Sequence, residues 1–188
     1  GEVKPVTIDT KKRDRLLEDI INIELEMFEK AKSVDPSLGQ ENAEAFKTMR
    51  DMAHSILSTE TLMFYLADLQ NAKKDGRNLQ TEKYTRIKNP VPPIKTSADI
   101  EEIIKIEGRW MRELSGKYPR TFKAGTNKFH TNQSFELETY SDKTLKSYLE
   151  DVLKAESQNF NLAEMRFLRL FRTLGYESIS QIEESAKT

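Results

Sequence analysis

The sequence contains no cysteine among its 188 residues and only seven glycines. The missing cysteine excludes disulfide bonds, thiolate metal ligands and a cysteine nucleophile. With so little glycine, the chain has no glycine-rich loop of the kind that holds phosphate groups. The 31 acidic residues nearly balance the 30 lysines and arginines. Strong binding to nucleic acid is therefore not expected, because such binders usually carry a marked positive charge.

Long apolar runs are also missing, since none reaches the roughly 20 residues that a membrane span requires. We therefore predict a soluble, cytoplasmic protein that does not contact a membrane. Only two histidines are present. A four-helix di-metal site needs an acid and a histidine one turn apart in each half of the bundle. Asp51 and His54 supply this pair once, but the second half has no equivalent, so we expect no metal and no cofactor.

The strongest pattern that is present is an internal repeat. When the chain is shifted by about 83 residues, about 18 of about 71 positions are identical, where roughly four would match by chance. The segment Ile20-Ile21-Asn22-Ile23-Glu24, for example, falls on Ile103-Ile104-Lys105-Ile106-Glu107. A repeat of this length predicts two similar units with a seam between them.

Apolar residues recur at three- and four-residue steps over most of the chain, which is the period of one helical face. Strand patterns are nearly absent. We therefore predict an all-α helical bundle built from two fused, duplicated units related by a pseudo-twofold axis. The predicted parts are an irregular lead-in (residues 1–10), a first unit (11–89), a proline-rich connector (90–95), a second unit (96–177) and a C-terminal short helix or tail (178–188).

The two units differ most in one region. The first unit has a second helix, predicted over residues 41–57, where the second unit has the stretch 119–140. That stretch is rich in Thr, Asn, Lys and Gly, so we predict a long, partly extended loop. It includes Lys128 and His130, which suit a lid over a polar ligand. Because long loops in compact domains often carry function, we expect function where this asymmetry lies.

Glu24 and Glu107 are the sharpest candidates for chemistry. Each lies in the middle of an apolar stripe, where a carboxylate is costly unless it has a partner. If the two helices pack across the pseudo-twofold axis, the carboxylates face each other and one pKa rises, which suits acid–base catalysis or cation binding. Alternatively, a repeated arginine, Arg86 or Arg169, neutralises each glutamate within its own unit, and the pairs are structural.

A repeated Tyr-Leu-x-Asp motif follows the same shift. Its tyrosines could donate to the glutamates, although a ring packed in the core and tethered by its hydroxyl is the commoner arrangement. The candidate binding residues are thus four polar positions and their repeats: Glu24, Tyr65, Asp68, Arg86, Glu107, Tyr148, Asp151 and Arg169. Lysines such as Lys83 are interpreted as solvated surface. Arg50 and His54 lie close together on one helix, as in some helical ribonucleases, but at a spacing one residue too short.

Several motifs resemble a known family. The most specific is Gly76-Arg77-Asn78-Leu79-Gln80-Thr81-Glu82-Lys83-Tyr84, and Tyr65-Leu66-Ala67-Asp68-Leu69 and Tyr140-Ser141-Asp142-Lys143-Thr144-Leu145 are similar to further family segments. Together they resemble a bacterial family known as domain of unknown function 4125, from about Leu16 to Tyr176. The resemblance implies kinship and no particular activity.

Three functions from different classes are compatible with these observations. The first is a binding or interaction module that takes a protein partner or a small molecule at the seam or at residues 120–140, because no complete catalytic constellation is present. The second is an enzyme that uses Glu24 and Glu107 as paired carboxylates at the seam. The third is a helical partner of a nucleotidyltransferase or another RNA-linked enzyme.

Overall fold

The computed structural model describes residues 6–38, 42–89, 92–123 and 126–186, with side chains described from residue 10 and, after position 123, from residue 132. Within these residues the protein is entirely helical and has no strand, which confirms the predicted all-α class. The helices are α1 (Val6–Val34), α2 (Ala43–His54), α3 (Thr59–Lys74), α4 (Leu79–Lys88), α5 (Ala98–Lys117), α6 (Thr126–Leu137), α7 (Asp142–Ser157), α8 (Leu162–Thr173) and α9 (Ile179–Ser185).

The two halves of the chain interleave. Helix α1 packs against α2, α3 and α4, and α5 packs in the same way against α6, α7 and α8. Further contacts join the halves, among them those of α3 on α7, α2 on α8, and α4 on α6. Each second helix thus lies between the first helix of its own half and the fourth helix of the other half.

Side-chain caps determine where most of the helices begin. In each case a side-chain oxygen accepts a hydrogen bond from a backbone N–H of the first turn, which satisfies a donor that the helix leaves unpaired. The capping residues are Asn42, Ser58, Asn78, Ser97, Ser141, Asn161 and Ser178. The sequence alone predicts the caps at Asn78 and Asn161. It leaves two alternatives at three other helices: Thr59 or Ser58 for α3, Ser97 or Asp99 for α5, and Ser141 or Asp142 for α7.

The ends of α3 and α7 are also alike. Gly76, with φ +72°, follows α3, and Asn159, with φ +58°, follows α7. These are the residue types that most readily adopt the left-handed conformation. The next backbone N–H then bonds to a carbonyl five residues back, at 2.8 Å after Gly76 and 2.9 Å after Asn159. The two positions are related by the shift of 83 residues, although the duplication itself stays a prediction.

Helices α3 and α7 form a reciprocal seam. The carboxylate of Asp151 on α7 accepts the backbone N–H of Ser58 at 2.9 Å and the hydroxyl of Thr61 at 2.6 Å. In return, Asp68 on α3 accepts the backbone N–H of Ser141 at 2.9 Å. Each aspartate therefore holds the residue that caps the opposite helix, which fixes the two helices against each other.

Two parts of the predicted organisation are wrong. Helix α6 occupies residues 126–137, inside the stretch 119–140 that was predicted to be a loop. The described part of the lead-in, residues 6–10, is also helical, because α1 begins at Val6. Neighbouring helices explain α6: it packs on α4 and α5, and tertiary contacts of this kind often override weak local propensity. Pro90 and Val91 of the connector, and the side chains of Lys128 and His130, lie outside the described residues.

Candidate functional site

Glu24 is completely buried on α1. Arg50 donates through Nε and Nη2 to its two carboxylate oxygens, at 3.2 and 2.8 Å. The hydroxyl of Tyr65 on α3 donates at 2.7 Å, and Nε2 of His54 lies 3.0 Å from both oxygens. A carboxylate can only accept hydrogen bonds, so we assign the His54 proton to Nε2. Three helices therefore converge on this carboxylate.

The sequence of α2 explains why two of these partners point inward. Phe46, Arg50 and His54 recur at four-residue steps, so they share one face of the helix, and all three are buried. The ring of Phe46 stacks on Phe28 of α1, with centroids 4.4 Å apart. This stacking holds α2 against α1 and directs the polar side chains towards Glu24.

Arg50 also binds a second buried carboxylate. Its Nη1 lies 2.7 Å from Oε1 of Glu136 on α6, and Nζ of Lys83 on α4 donates to the same oxygen at 3.3 Å. The hydroxyl of Tyr140 donates to the other oxygen of Glu136 at 2.8 Å. Arg50 thus bridges carboxylates from both halves of the chain. We call this set the Arg50 network: Glu24, Arg50, His54, Tyr65, Lys83, Glu136 and Tyr140.

The cations determine the charge state of this network. Burial would raise the pKa of Glu24, but Arg50 and His54 outweigh it and hold that pKa at about 2. Burial is likewise outweighed at Glu136, whose pKa Arg50 and Lys83 lower well below the ordinary value. The pKa of Lys83 is lowered, because burial outweighs the opposing effect of Glu136. Both carboxylates are therefore ionised at neutral pH.

A second polar network surrounds Glu107 on α5, which is also completely buried. It accepts the hydroxyl of Tyr148 at 2.6 Å and Nη1 of Arg166 at 3.1 Å. The Tyr148 oxygen in turn accepts Nη2 of Arg166 at 2.6 Å and the amide of Gln133 at 3.1 Å. The second oxygen of Glu107 is buried without a hydrogen-bond partner in the part of the chain that the structure describes.

The structure corrects the predicted roles of the repeated arginines. Arg86 donates to Glu138 at 2.9 and 3.2 Å. Arg169 donates to Asp51 at 2.6 and 3.0 Å. Both ion pairs join one half of the chain to the other, so the predicted pairing of these arginines with the glutamate of their own half is wrong.

The alternative interpretation was that the two glutamates face each other as a pair. Instead each has its own arginine, Arg50 for Glu24 and Arg166 for Glu107, and the hydrogen bonds described for the two carboxylates involve no common residue. The carboxylate that does share a cation with Glu24 is Glu136, which sequence reasoning did not select.

Lys83 was interpreted as solvated surface, and this was wrong, because its side chain is only 12 % exposed. A signal was present: Leu79, Lys83 and Arg86 recur at steps of four and three residues and so share one face of α4. Leu79 and Arg86 are both buried. No comparable signal pointed to Glu136, since the helix that carries it was not predicted.

A pocket of about 320 Å³ opens between α2, α4 and α6 and reaches the Arg50 network. We call it the seam pocket. It is lined by Phe46, Met49, Arg50, Met52, Ala53, Lys83, Tyr84, Ile87, Asn132, Gln133 and Glu136. Its lining therefore combines apolar side chains with charged and amide-bearing ones. The region where the two halves differ most, α2 against α6, supplies most of it.

The seam pocket is not the largest depression on the described surface. One of about 540 Å³ lies between α2 and α8 and is lined in part by Asp51, Arg169 and Arg172. There Arg169 is already bound to Asp51 through two hydrogen bonds, and none of the charged residues in the lining is buried. Desolvated charged groups are the more informative sign of a site, so the seam pocket is the better candidate despite its smaller volume.

Comparison with known proteins identifies the family. The family model described as protein of unknown function, DUF4125, matches residues 14–184. The chain belongs to this family. The resemblance seen in the sequence motifs is thereby confirmed, and the Arg50 network and the seam pocket both lie inside the matched region. Neither a curated protein nor a solved structure matches the chain.

Two further findings apply to the described residues of this DUF4125 protein. None of its helices there is long and apolar enough to cross a membrane. The same residues contain no group of three or more His, Cys, Asp or Glu side chains that could hold a metal ion. What the seam pocket does offer is a desolvated ammonium, a guanidinium and two side-chain amides beside an apolar wall.

Proposed function

We propose that the protein is a binding module that holds a small molecule in the seam pocket. The observation that carries this proposal is the position of Lys83: its ammonium is nearly buried, yet its side chain lines the pocket. Burying a charge is costly unless partners compensate for it. A ligand that provides such a partner would therefore lower the free energy of the buried ammonium, and its binding would be favourable.

The hydrogen bonds of Lys83 indicate the chemistry of that ligand. The ammonium has three N–H donors, and one of them binds Glu136 at 3.3 Å. The other two have no hydrogen-bond partner among the described residues. The oxygens of Glu136 are already occupied by Arg50, Lys83 and Tyr140. Two N–H groups of Lys83 are therefore left to bind an acceptor, and we infer a ligand with a carbonyl or carboxylate oxygen.

The rest of the lining restricts the ligand's size and body. Pockets for small molecules usually measure about 300–1,000 Å³ and are mainly apolar, so the seam pocket, at about 320 Å³, suits a small ligand. Met49 and Ile87 are 40 % and 38 % exposed, and Met52 extends the same wall. We infer that these side chains cover the apolar body of the ligand while its oxygen binds Lys83.

Binding fits the geometry better than catalysis by Glu24 and Glu107. Each of these carboxylates is completely buried and hydrogen-bonded to its own arginine. The pKa of Glu24 is held at about 2, which makes it a poor proton acceptor near neutral pH. In the Arg50 network, the groups that line the pocket are Arg50, Lys83 and Glu136.

Ligand-observed NMR with benzamide and benzoate tests the proposal. Both probes combine a small apolar ring with a carbonyl or carboxylate oxygen. We expect at least one to bind, and Lys83→Met to weaken that binding roughly tenfold or more, because a hydrogen bond to a charged group is lost. Lys47→Met is the matched control, since Lys47 is 41 % exposed and does not line the seam pocket.

Circular dichroism should show that both variants remain folded. Ile87→Trp provides an independent test, because a larger side chain in the pocket wall should block the probes without removing a charge. Absence of binding by both probes, or equal binding to the Lys83→Met and Lys47→Met variants, would contradict the proposed site.

A further inference from the structure

The environment of Lys83 suits a chemical reaction of its amine as well as a hydrogen bond. Nζ of Lys83 is held by Glu136 at 3.3 Å and lies 5.1 Å from the centre of the Tyr84 ring. Glu136 is itself fixed by Arg50 at 2.7 Å and by Tyr140 at 2.8 Å. The lysine nitrogen is therefore positioned by a rigid carboxylate at the wall of a pocket that is otherwise largely apolar.

The protonation of Lys83 is consistent with reactivity. Its pKa is lowered, chiefly by burial, with a further contribution from the positive charge of Arg50, while Glu136 opposes both. An amine with a lowered pKa is unprotonated more often near neutral pH, and only the unprotonated amine is a nucleophile. Among the other described lysines, Lys117 has a raised pKa, and it is exposed.

We propose that Lys83 forms a reversible imine with a small aldehyde or ketone bound in the seam pocket. This inference rests on the binding function proposed above and names its ligand class more closely. Lys83 touches the ligand and is the reacting group, whereas Glu136 is a positioning residue that acts through the lysine.

The reaction balances without any further reagent. The nitrogen lone pair of Lys83 attacks the carbonyl carbon, a C–N bond forms, and the oxygen takes up a proton while the nitrogen loses one, giving a carbinolamine. The C–O bond then breaks, water leaves, and the C=N bond forms. One amine and one carbonyl compound thus give one imine and one water. When the imine is protonated, Glu136 provides the nearby negative charge that stabilises the cation.

Trapping by reduction tests this proposal on the intact 188-residue chain. Benzaldehyde is added with sodium cyanoborohydride, which reduces an imine to a stable amine, and the adduct is located by peptide mass mapping. We expect modification of Lys83 at least tenfold faster than of Lys47 or Lys88, which are exposed. Because the pKa of Lys83 is lowered, its modification rate should also reach half-maximum at a lower pH than that of an ordinary lysine amine. Lys83→Arg should abolish the fast modification, and Lys47→Arg should leave it unchanged.

Benzamide separates this proposal from the binding function. It offers the same ring and a carbonyl oxygen but does not form an imine, so it should compete with benzaldehyde and slow the modification of Lys83. If benzamide binds in the seam pocket and Lys83 is modified no faster than exposed lysines, imine formation is excluded and the binding function stands. If neither benzamide nor benzoate binds and Lys83 is not favoured, both proposals fail. Fast modification that benzamide does not slow would also overturn the imine proposal, because it would not depend on a bound carbonyl.

Discussion

Glu24 is stabilised by several neighbours at once: the Arg50 guanidinium, the His54 ring and the Tyr65 hydroxyl all contact its carboxylate. A buried ion pair seldom adds much net stability, because the desolvation of both charges offsets their attraction. Removing one partner is strongly destabilising, because the other charge is then left buried without compensation. The Arg50 network should therefore respond strongly to changes in charge.

We expect the protein to lose stability in acid through this network. The pKa of Glu24 is about 2 in the folded protein and 4.5 ordinarily. Because the folded-state value is the lower one, the stabilisation is fully present above about pH 4.5 and is lost as the pH falls towards 2. Its size is on the order of 3 kcal/mol. Urea unfolding at a series of pH values between 7 and 2.5 measures it.

Glu24→Gln is the variant that tests this assignment. It should lower the free energy of unfolding at pH 7 by about 3 kcal/mol, because Arg50 loses a buried counterion. It should also flatten the pH dependence below 4.5, leaving the part that comes from Glu136. Glu29→Gln is the control, since Glu29 is exposed on the same helix and should change neither value. If the free energy of unfolding of Glu24→Gln still fell as steeply below pH 4.5, Glu24 would not be the source of the acid sensitivity.

At the scale of helices, the caps and breaks of the chain were predictable from sequence, because they depend on local chemistry. The ends of α3, α4, α7 and α8 follow from Ser, Asn and Gly at particular positions. Helix α6 was not predictable in this way, since its first nine residues, 126–134, include one apolar side chain. It is helical because α4 and α5 pack on it, and because Glu136 binds Arg50 and Lys83 from other helices.

The candidate site was likewise predictable from the sequence only in part. That Glu24 and Glu107 would be buried and need partners was visible in their apolar stripes. The repeat already suggested Tyr65 and Tyr148 as partners, and both donate to the glutamates. The cationic partners were not visible, because the repeat suggested equivalent arginines in both halves. The actual partners, Arg50 on α2 and Arg166 on α8, occupy non-equivalent positions. Each arginine lies in the same half as its glutamate, and the packing of α2 on α1 and of α8 on α5 brings the two together.

The reciprocal seam of α3 and α7 offers a matched pair of variants. Asp151→Ala leaves the Ser58 N–H and the Thr61 hydroxyl without this acceptor, whereas Asp68→Ala affects only the Ser141 N–H. Unsatisfied groups cost about 1–3 kcal/mol each. We therefore expect Asp151→Ala to lower the free energy of unfolding by about 2–3 kcal/mol and Asp68→Ala by about 1–2 kcal/mol. Equal losses in urea unfolding would show that the additional Thr61 contact does not stabilise the seam.

At the scale of the whole molecule, the two halves are not independent domains, even though each has its own first helix and its own buried glutamate. Helix α2 packs on α8 and α4 packs on α6. Buried ion pairs cross between the halves as well, among them Arg50 with Glu136 and Arg86 with Glu138. A half that is separated from the other would expose these charges and the apolar surfaces beside them.

We therefore expect fragments 1–89 and 92–188 to be largely unfolded when they are produced separately, and to regain helix when they are mixed. In the intact chain, the fluorescence of Trp110 and far-UV circular dichroism should report one coincident unfolding transition, as cooperative units do. A chain that ends at residue 174 is the control, because α9 packs mainly on α8 and its removal should leave the other helices folded. If either fragment alone gives dispersed NMR spectra, that half has a sufficient core of its own. The seam pocket would then lie between two domains rather than inside one.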